Sequence, residues 1–323
     1  PGDIDCYTLN TCHIREKATE KVYHDIGRLK KNYKNKKKPT VFVTGCVAQA
    51  ENDEMLKREP YIDAVIGPQS YHNLPKILST ISKKNNKLNF TEFDVIEKFD
   101  KLNNIKNSDS NISAFITIQE GCDKFCSFCV VPYTRGPEYS RAVESIFQEA
   151  KHLISCGAKE LTLLGQNVSA YNSAIIENGR KQEVNLADLC NIISKINGLE
   201  RIRYLTSHPN DIDSKLIMEH FENEKMMPFL HLPIQTGSDR ILKRMNRNHT
   251  RKHYIKLIEA IRSKIKDMAF SSDFIVGYPG ESDNDFEDTL DLIEKVNFAS
   301  AYSFKYSSRP GTLSSIKHLN CID

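Results

Sequence analysis

A regular alternation of short strand-like segments and amphipathic helical segments runs from Ser113 onward and restricts the fold most. The strand candidates are Ala114–Ile118, Glu160–Leu164, Arg203–Thr206, Phe229–Leu232, Phe270–Ile275 and Ser300–Lys305. The helix candidates are Arg141–Cys156, Asn185–Ile196, Ser214–Phe221, Thr250–Lys264 and Ser282–Val296. Such alternation predicts a parallel sheet covered by helices. Because a full eight-fold barrel needs about 250 residues and this series spans about 210, we predict a partial (β/α)6 barrel at residues 108–323.

A smaller α/β unit precedes the barrel and is predicted at residues 1–83. Its strand candidates are Asp5–Leu9, Thr40–Thr44 and Ala64–Ile66, and its helix candidates are Arg15–Tyr33, Ala50–Lys57 and Tyr71–Ile81. Residues 84–107 are rich in Lys, Asn, Asp and Ser and are predicted to form a linker, with one extended piece around Leu88–Phe93. Ligands of parallel sheets sit beyond the carboxyl ends of the strands. Cys12 and Cys46 follow two such ends.

Composition and charge narrow the class of protein. The 323 residues suffice for two domains, and 39% hydrophobic with 27% charged residues excludes a disordered chain. The sequence shows neither a run of about 18 apolar residues nor a signal-peptide pattern, so we expect no membrane partner and a cytoplasmic location. The nine cysteines are then expected to be free or metal-bound. A net charge of +3 permits a nucleic-acid partner without requiring one.

Three cysteines follow the first barrel strand, Cys122, Cys126 and Cys129, with the spacing C-x3-C-x2-C. With 9 cysteines in 323 residues, chance produces this spacing in under about 1% of such chains. Structural zinc usually takes four ligands in paired C-x2-C motifs, whereas three thiolates suit a [4Fe–4S] cluster with one iron open to another ligand. The alternative is a zinc loop completed by a distant histidine. The carboxyl end of a barrel strand is where active sites lie, which favours the iron–sulfur interpretation.

A three-cysteine [4Fe–4S] site at the mouth of a six-stranded barrel resembles the radical S-adenosylmethionine (SAM) superfamily. Longer motifs resemble the methylthiotransferase family within it and occur in that family's order. They are NTCHIREKA at 10–18, TGCVAQ at 44–49, GCDKFCSFCVVPYTRGPEYSR at 121–141, LLGQNVSAY at 163–171, HLPIQTGSDRILKRMNR at 231–247, DFIVGYPGES at 273–282 and FKYSSRPGT at 304–312. The resemblance implies that SAM chelates the open iron and that one electron from the cluster cleaves SAM to a 5′-deoxyadenosyl radical.

The resemblance also implies a substrate and partners. NTCHIREKA and LGQNVSAY resemble the bacterial and organellar branch that acts on N6-isopentenyladenosine in tRNA, more than the branches acting on ribosomal protein S12 or threonylcarbamoyladenosine. The implied reaction is methylthiolation at C2 of that nucleoside beside the anticodon, with two SAM molecules and two [4Fe–4S] clusters. The implied partners are the tRNA anticodon stem-loop and an electron donor such as flavodoxin or ferredoxin. The protein itself is expected to be a monomer. Two alternatives remain: a threonylcarbamoyladenosine methylthiotransferase, and an inactive cluster-carrying fragment that is only a binding module.

The resemblance assigns a second, auxiliary cluster to the N-terminal unit. Three cysteines hold it in the family, and two positions match here, Cys12 and Cys46. The family's first cluster cysteine lies upstream of this chain's first residue. Cys6 lies on the strand leading to Cys12 and is expected to point into the core, so we do not accept it as a substitute. The family also has a C-terminal RNA-binding β-barrel domain, TRAM, which the motifs stop before. We therefore expect both ends of the chain to be truncated.

Candidate SAM contacts follow the carboxyl ends of the predicted barrel strands, where ligands bind in such folds. They are Gly165, Gln166, Asn167, Ser207, His208, Gln235, Ser238, Gly277 and Glu281. Each has a structural alternative. Gln166 and Asn167 could form a polar strand cap, and His208 could be a loop residue held by the following proline. The pairs Gln235/Ser238 and Gly277/Glu281 could simply form turns. No side-chain acid or base is expected to be catalytic, because the cofactor carries the chemistry.

Basic residues near the predicted barrel mouth are candidates for contacts with tRNA phosphates, and one tyrosine for stacking a splayed base. They are Arg135, Arg141, Arg240, Lys243, Arg244, Arg247 and Arg251, with Tyr133 as the stacking candidate. The alternative for each basic residue is a solvated charged face. Cys156 and Cys190 are expected to be buried small apolar side chains on helices.

Overall fold

The computed structural model describes residues 4–13, 16–84, 87–92, 99, 111–177 and 179–317. The chain forms two compact units. The first contains the described residues before position 105 together with Val130–Gly136 and Ser307–Gly311, and the second contains the other described residues. Both are α/β in character, as the sequence predicts.

The first unit is built on one parallel four-stranded sheet. Its strands are β1 (Cys6–Thr11), β2 (Thr40–Gly45), β3 (Ala64–Ile66) and β4 (Leu88–Phe90), in that order. Its helices are α1 (Glu16–Asn32), α2 (Cys46–Arg58), α3 (Leu74–Lys84) and α4 (Val131–Arg135), with a 3-10 helix at Pro68–Asn73. The extended piece expected near Leu88 therefore pairs with β3 as part of this sheet. The rest of the predicted linker, apart from a few positions, lies outside the described residues.

Helix α2 begins at Cys46, four positions before the start that the sequence predicts. Gly45 makes this possible, because it adopts a φ of 95° and turns the strand directly into the helix. The first sheet buries Val43, Val65 and Ile26 in one apolar cluster. Cys6 packs against a second cluster that contains Phe42 and Ile66, so the expectation that it faces the core is confirmed.

The second unit contains the six parallel strands that the alternation predicts. In chain order its strands are β5 (Ser113–Thr117), β6 (Gln119–Glu120), β7 (Tyr139–Ser140), β8 (Glu160–Leu164), β9 (Asn172–Glu177), β10 (Arg180–Asn185), β11 (Arg201–Tyr204), β12 (Phe229–His231), β13 (Ala269–Val276) and β14 (Ser300–Lys305). β5, β8 and β11 form one parallel sheet and β12, β13 and β14 another. Ile202 joins the two, because its N–H donates to Lys225 O at 2.7 Å and its carbonyl accepts from Met227 N at 3.0 Å. The series is the predicted six-stranded partial barrel.

Helices cover the barrel strands, and most match the predicted segments. They are α5 (Val143–Ser155), α6 (Leu186–Ser194), α7 (Ser214–Glu222), α8 (Asp239–Arg244), α9 (Arg251–Lys264), α10 (Asp283–Val296) and α11 (Leu313–Lys317). Side chains of Asn185 and Ser282 cap α6 and α10 with complete capping boxes. Helices α4, α8 and α11 and the hairpin β9–β10 were not predicted, since segments of five or six residues are too short to show a helical period.

The apolar side chains of strands and helices in the second unit form one continuous core that includes Ile116, Leu163 and Phe270. Cys190 belongs to this core and is fully buried, as predicted, whereas Cys156 is only half-buried at the end of α5. Within the described residues, the helices are too short or too polar to cross a membrane.

Candidate functional site

The three-cysteine loop follows β6 at the carboxyl end of the first barrel strand. Cys122, Cys126 and Cys129 are half-buried, and the loop turns through Phe125, whose φ is 46°. The N–H of Cys129 donates to Cys126 O at 2.9 Å. Burial raises the pKa of the Cys122 thiol to about 12, and the other two cysteines add to the rise. Without a metal this thiol is protonated, so metal binding releases a proton.

The described residues contain no group of three or more His, Cys, Asp or Glu side chains that converges on a single metal ion. The zinc alternative requires such convergence, because zinc takes four ligands at about 2.0–2.3 Å. In a [4Fe–4S] cluster each cysteine binds a different iron. The three sulfurs of such a cluster site therefore need not meet at one point.

The end of β8 holds the start of the cysteine loop. Gln166 accepts a hydrogen bond from Gly121 N at 2.7 Å through its side chain. Gln119 Oε1 in turn accepts from the backbone N–H groups of Gln166 and Asn167 at 2.9 and 3.1 Å. A Cβ at Gly165 would lie 2.6 Å from the same Gln119 oxygen, so only glycine fits there. Gly165 and Gln166 thus support the loop.

A polar network that the sequence did not single out anchors the middle of the loop. Lys124 donates to Asp211 Oδ1 at 2.7 Å, and Asn167 donates to the other oxygen of Asp211 at 2.7 Å. Glu138 and Asp123 each accept a hydrogen bond from the other's backbone N–H, at 3.4 and 3.2 Å. Burial raises the pKa of the Glu138 carboxyl. Asn167 was predicted to contact SAM. Its side chain is only 2% exposed and is already engaged in this network, which favours a structural role.

The carboxyl end of α8 anchors the far side of the loop. Ser127 N donates to Met245 O at 3.0 Å and its hydroxyl to Arg244 O at 2.8 Å. The buried hydroxyl of Tyr278 lies 2.8 Å from Ser127 Oγ and 2.6 Å from Ser314 Oγ. Ser314 N also donates to Ser127 O at 2.8 Å. Hydrogen bonds from distant parts of the chain therefore fix the loop on both sides of Cys126.

Ser207 and His208 follow β11 and are both buried, at 6% and 5% exposure. Burial first, and then the charge of Arg247, lower the pKa of His208 to about 2, so its ring is neutral. Its Nδ1 accepts from Asn210 N at 3.3 Å. Among the described residues, Ser207 Oγ is buried without a hydrogen-bond partner. The same holds for both ring nitrogens of His249, whose ring centroid lies 5.6 Å from that of His208.

Gln235 and Ser238 follow β12 and are buried. Gln235 adopts a φ of 83°, which is strained for a residue with a side chain. Ser238 is the N-cap of α8, since its hydroxyl accepts from Ile241 N at 3.3 Å and donates to Asp285 Oδ1 at 2.5 Å. The Ser238 hydroxyl thus already has both a donor and an acceptor within the protein, which favours a role in the turn over a contact with SAM.

Gly277 and Glu281 follow β13. The carboxylate of Glu281 accepts from Gly277 N, and Gly277 has a φ of 69° with open space where a Cβ would stand. Burial raises the pKa of Glu281, and the hydrogen bonds from Gly277 and Tyr278 oppose that rise. The pair therefore forms a closed turn, in line with the turn-chemistry alternative.

Asp285 links this turn to α8 and carries a pH prediction. Burial opposes its ionisation, but hydrogen bonds from Arg240, Ser238 and Ser282 outweigh burial and hold the pKa of the carboxyl well below its ordinary range. Asp285 therefore stabilises the fold above its unfolded pKa of about 3.9, and the contribution is lost as pH falls through the folded pKa. We expect Asp285→Asn to lower the free energy of unfolding by about 1.5–3 kcal/mol at pH 7.

Urea unfolding of both proteins between pH 7 and pH 2.5 measures this effect. The gap between wild type and Asp285→Asn should shrink below about pH 4. Asp291→Asn is the matched control: its ion pairs with Arg251 and Lys295 are half-exposed, so we expect a change below about 1 kcal/mol. A gap that stays constant with pH would contradict the assignment.

Two of the basic residues proposed for tRNA contacts are not available for that role. Arg141 and Arg247 are 5% and 6% exposed. Arg141 bonds Thr117 O at 2.5 Å and pairs with Glu149 at 2.8 Å. Charge alone could not reveal this, because burial depends on the packing of distant segments. Arg240 and Lys243 are exposed and remain candidates.

In the first unit, Cys12 and Cys46 stand beside each other at one sheet edge. Thr11 and Gly45 are register partners at the ends of β1 and β2, and each cysteine follows its partner residue directly. Cys12 is exposed and Cys46 half-buried. Arg135 on α4 donates from Nε to Cys46 Sγ at 3.2 Å, a contact that the sequence did not indicate. The contact places a positive charge beside the Cys46 sulfur.

The residues of the second unit fit an iron–sulfur cluster and SAM. Three thiols supply soft ligands with one coordination position left open. Ser207 Oγ and the His249 ring nitrogens are buried polar atoms with unused hydrogen-bonding capacity, as expected near a polar ligand. In the first unit Cys12 and Cys46 place two thiols at the carboxyl ends of neighbouring strands.

Two family models match the chain. One is described as the Radical SAM superfamily and matches residues 116–293. The other is described as Uncharacterized protein family UPF0004 and matches residues 1–67. The first covers the six-stranded unit with its cysteine loop and places the chain in that superfamily, whose members use an iron–sulfur cluster and SAM.

Solved structures show the same fold. A radical S-adenosylmethionine methyltransferase, TsrM, from Kitasatospora setae, with cobalamin and a [4Fe–4S] cluster bound, has a TM-score of 0.67 at 13% identity and covers 97% of this chain and 66% of that one. The cobalamin-dependent S-adenosylmethionine radical enzyme OxsB has a TM-score of 0.59 at 14% identity, with 97% and 46% covered. At these identities the likeness concerns the fold alone.

Curated relatives are much more similar in sequence. The tRNA-2-methylthio-N(6)-dimethylallyladenosine synthase of Pelagibacter ubique (strain HTCC1062) is 57% identical over 311 residues, which are 96% of this chain and 69% of the relative. The synthases of Bartonella quintana (strain Toulouse) and Ehrlichia canis (strain Jake) are 54% and 53% identical, covering 97% of this chain and 69% and 70% of theirs. Identity at this level over nearly the whole chain shows common family membership. The chain belongs to the family of tRNA-2-methylthio-N(6)-dimethylallyladenosine synthases, within the radical SAM superfamily.

Proposed function

We propose that this protein methylthiolates C2 of N6-dimethylallyladenosine, the isopentenylated nucleoside beside the tRNA anticodon. The observation that carries the proposal is the cysteine loop of Cys122, Cys126 and Cys129, held in a radical SAM fold in a chain 57% identical to a synthase of that name. The C2–H bond is not acidic, so no side-chain base removes its hydrogen near neutral pH. A radical route is chemically reasonable for such a bond.

The second unit would hold the radical SAM cluster. When bound, the [4Fe–4S] cluster supplies the electron for reductive cleavage of SAM. Cys122, Cys126 and Cys129 would bind three of its irons, and the hydrogen bonds to Gly121, Lys124 and Ser127 hold their loop in place. Ser207 Oγ, directly after the predicted third barrel strand, supports a SAM or substrate contact, because among the described residues it is buried with unused hydrogen-bonding capacity.

The first unit would hold the auxiliary cluster. Cys12 and Cys46 would supply two of its ligands, and their register at the ends of β1 and β2 supports this assignment. Arg135 would stabilise the charge on Cys46 through its hydrogen bond. Two clusters and two SAM molecules together account for both sulfur insertion and methyl transfer.

The proposal also names partners. The substrate is the anticodon stem-loop of a tRNA, for which the exposed Arg240 and Lys243 are candidate phosphate contacts. SAM cleavage consumes one electron, so the enzyme requires a one-electron donor of the flavodoxin or ferredoxin class. Of the candidate SAM contacts, Gln235 stays a proposal because it follows a barrel strand and is buried there. Hydrogen bonds to other residues favour a supporting role for Gln166, Asn167, Ser238 and Glu281.

Expression in a bacterial strain that lacks its own synthase tests the proposal. We expect 2-methylthio-N6-dimethylallyladenosine to appear in the tRNA nucleosides, measured by mass spectrometry, with Cys126→Ala reducing it at least 100-fold. Cys156→Ser is the control, because that half-buried thiol lies at the end of α5 outside the site. The proposal fails if the wild-type protein folds with its cluster and the tRNA keeps only the unmethylthiolated nucleoside.

The same experiment separates the alternatives. A threonylcarbamoyladenosine methylthiotransferase would modify only tRNAs carrying that nucleoside. A binding module would retain tRNA in a filter-binding assay and produce neither methylthiolated nucleoside. The family assignment and the complete three-cysteine loop favour methylthiolation of N6-dimethylallyladenosine over both alternatives.

A further inference from the structure

A buried arginine lies against the cysteine loop and belongs to none of the predicted cofactor contacts. The side chain of Arg247 is 6% exposed. Its Nη1 donates to Cys126 Sγ at 3.5 Å, and its Nη2 donates to Pro233 O at 2.5 Å. Its Nε is buried and has no acceptor among the described residues. The guanidinium is thus held at one sulfur of the cluster site.

The backbone fixes this position tightly. Helix α8 ends at Arg244 and Met245 is its C-cap. Asn246 then enters the left-handed region with a φ of 57°, and the N–H of Arg247 donates to Leu242 O at 3.0 Å. The side chain of Asn246 donates to Phe125 O at 3.0 Å. The turn that contains Arg247 is therefore hydrogen-bonded to the loop that contains Cys126, and this bond fixes the distance between the arginine and the sulfur.

The charge of Arg247 is unusual for its burial. A buried cation is costly unless a negative group compensates it, and among the described residues Arg247 forms no ion pair with a carboxylate. The rings that surround it offer no compensation: burial and Arg247 itself lower the pKa of His208 to about 2 and of His249 to about 3, so both rings are neutral. As a cluster ligand, the Cys126 sulfur would be the anionic partner within reach of Arg247.

We propose that Arg247 is a positioning residue for the radical SAM cluster, holding Cys126 through an N–H···S hydrogen bond and raising the reduction potential of the cluster through its buried positive charge. Hydrogen bonds to cluster sulfurs and nearby charge are two determinants of such potentials. Both stabilise the reduced cluster, which carries one more negative charge. The inference rests on the proposed assignment of Cys126 as a ligand.

A redox titration of the reconstituted protein, followed by the electron paramagnetic resonance signal of the reduced cluster, tests the proposal. Arg247→Met removes the charge and the hydrogen bonds while keeping an unbranched side chain. At the wild-type midpoint potential, we expect its ratio of reduced to oxidised cluster to fall about tenfold, which corresponds to about 59 mV for one electron. Arg247→Lys keeps the charge but not the planar fork, so we expect about a threefold fall.

Arg262→Met is the matched control. Arg262 also donates to backbone carbonyls, those of Val296 and Asn297 at 2.6 and 3.1 Å, but it lies on α9 and has no hydrogen bond to a cysteine of the described part of the chain. Its variant should keep the wild-type midpoint.

Each outcome decides the question. Wild-type midpoints in Arg247→Met with a full iron content would overturn the proposal. If Arg247→Met fails to fold or to bind iron, Arg247→Lys carries the test, and an unshifted midpoint in that variant overturns it equally. A Cys126→Ala variant that retains the radical SAM cluster would instead remove the ligand assignment on which the inference rests.

Discussion

Replacing Cys122 with alanine is expected to lower the iron content of the anaerobically reconstituted protein by about four atoms per chain. Cys122 is one of the three thiols of the cysteine loop, and a cube held by only two protein ligands is not retained. Iron and acid-labile sulfide analysis of wild type and variant measures the loss. Cys156→Ser is the control and should bind as much iron as the wild type.

The absolute values decide how many clusters assemble. About eight irons falling to about four would mean that both sites bind a cube. About four falling to none would mean that only the radical SAM cluster assembles, so that SAM cleavage is retained while sulfur transfer is not expected. Absence of iron from both proteins would contradict the iron–sulfur assignment and favour the zinc alternative.

Replacing Gly45 with alanine is expected to disrupt the sheet edge between Cys12 and Cys46. The new Cβ would lie 2.2 Å from Thr11 O, the carbonyl that ends β1. A side chain at a φ of 95° adds strain of about 1–3 kcal/mol, so we expect a loss of at least about 2 kcal/mol in the free energy of unfolding. Urea unfolding measures it. Iron analysis should show loss of the auxiliary cluster while the cluster of the second unit remains.

Gly27→Ala is the matched control for this glycine. Gly27 lies within α1 and a Cβ there would meet nothing within 4 Å. Alanine in a helix interior is favoured over glycine by about 1 kcal/mol, so this variant should be at least as stable as the wild type. Equal stabilities of Gly45→Ala and wild type would show that the turn into α2 tolerates a side chain.

Much of the fold could be predicted from the sequence because its signals are local. The strands Glu160–Leu164 and Ser300–Lys305 were predicted with their observed bounds, and the strand Phe270–Ile275 was correct to within one residue at each end. Runs of β-branched and apolar residues between helical periods are recognisable without tertiary information. The start of α2 was missed by four residues, because the turn at Gly45 depends on the close approach of Thr11 on the neighbouring strand.

The candidate site divides in the same way. Cys122, Cys126 and Cys129 were predicted because all three lie within one segment of eight residues. Glu138, Asp211 and Arg247 were not assigned to it, since each reaches the loop from a different part of the chain. Arg247 even carried a different prediction, a tRNA contact, because its charge is visible in the sequence and its burial is not.

The sequence by itself determined the C-x3-C-x2-C spacing, the βα alternation and the family resemblance. These follow from residue types at short spacings and from the order of motifs along the chain. Only the tertiary structure decided which polar side chains around the cysteine loop have hydrogen-bond partners within the protein and which are left for a ligand. Hydrogen bonding and burial depend on groups far apart in sequence, such as Ser127 and Ser314 or Cys126 and Arg247, and local patterns contain no information about such distances.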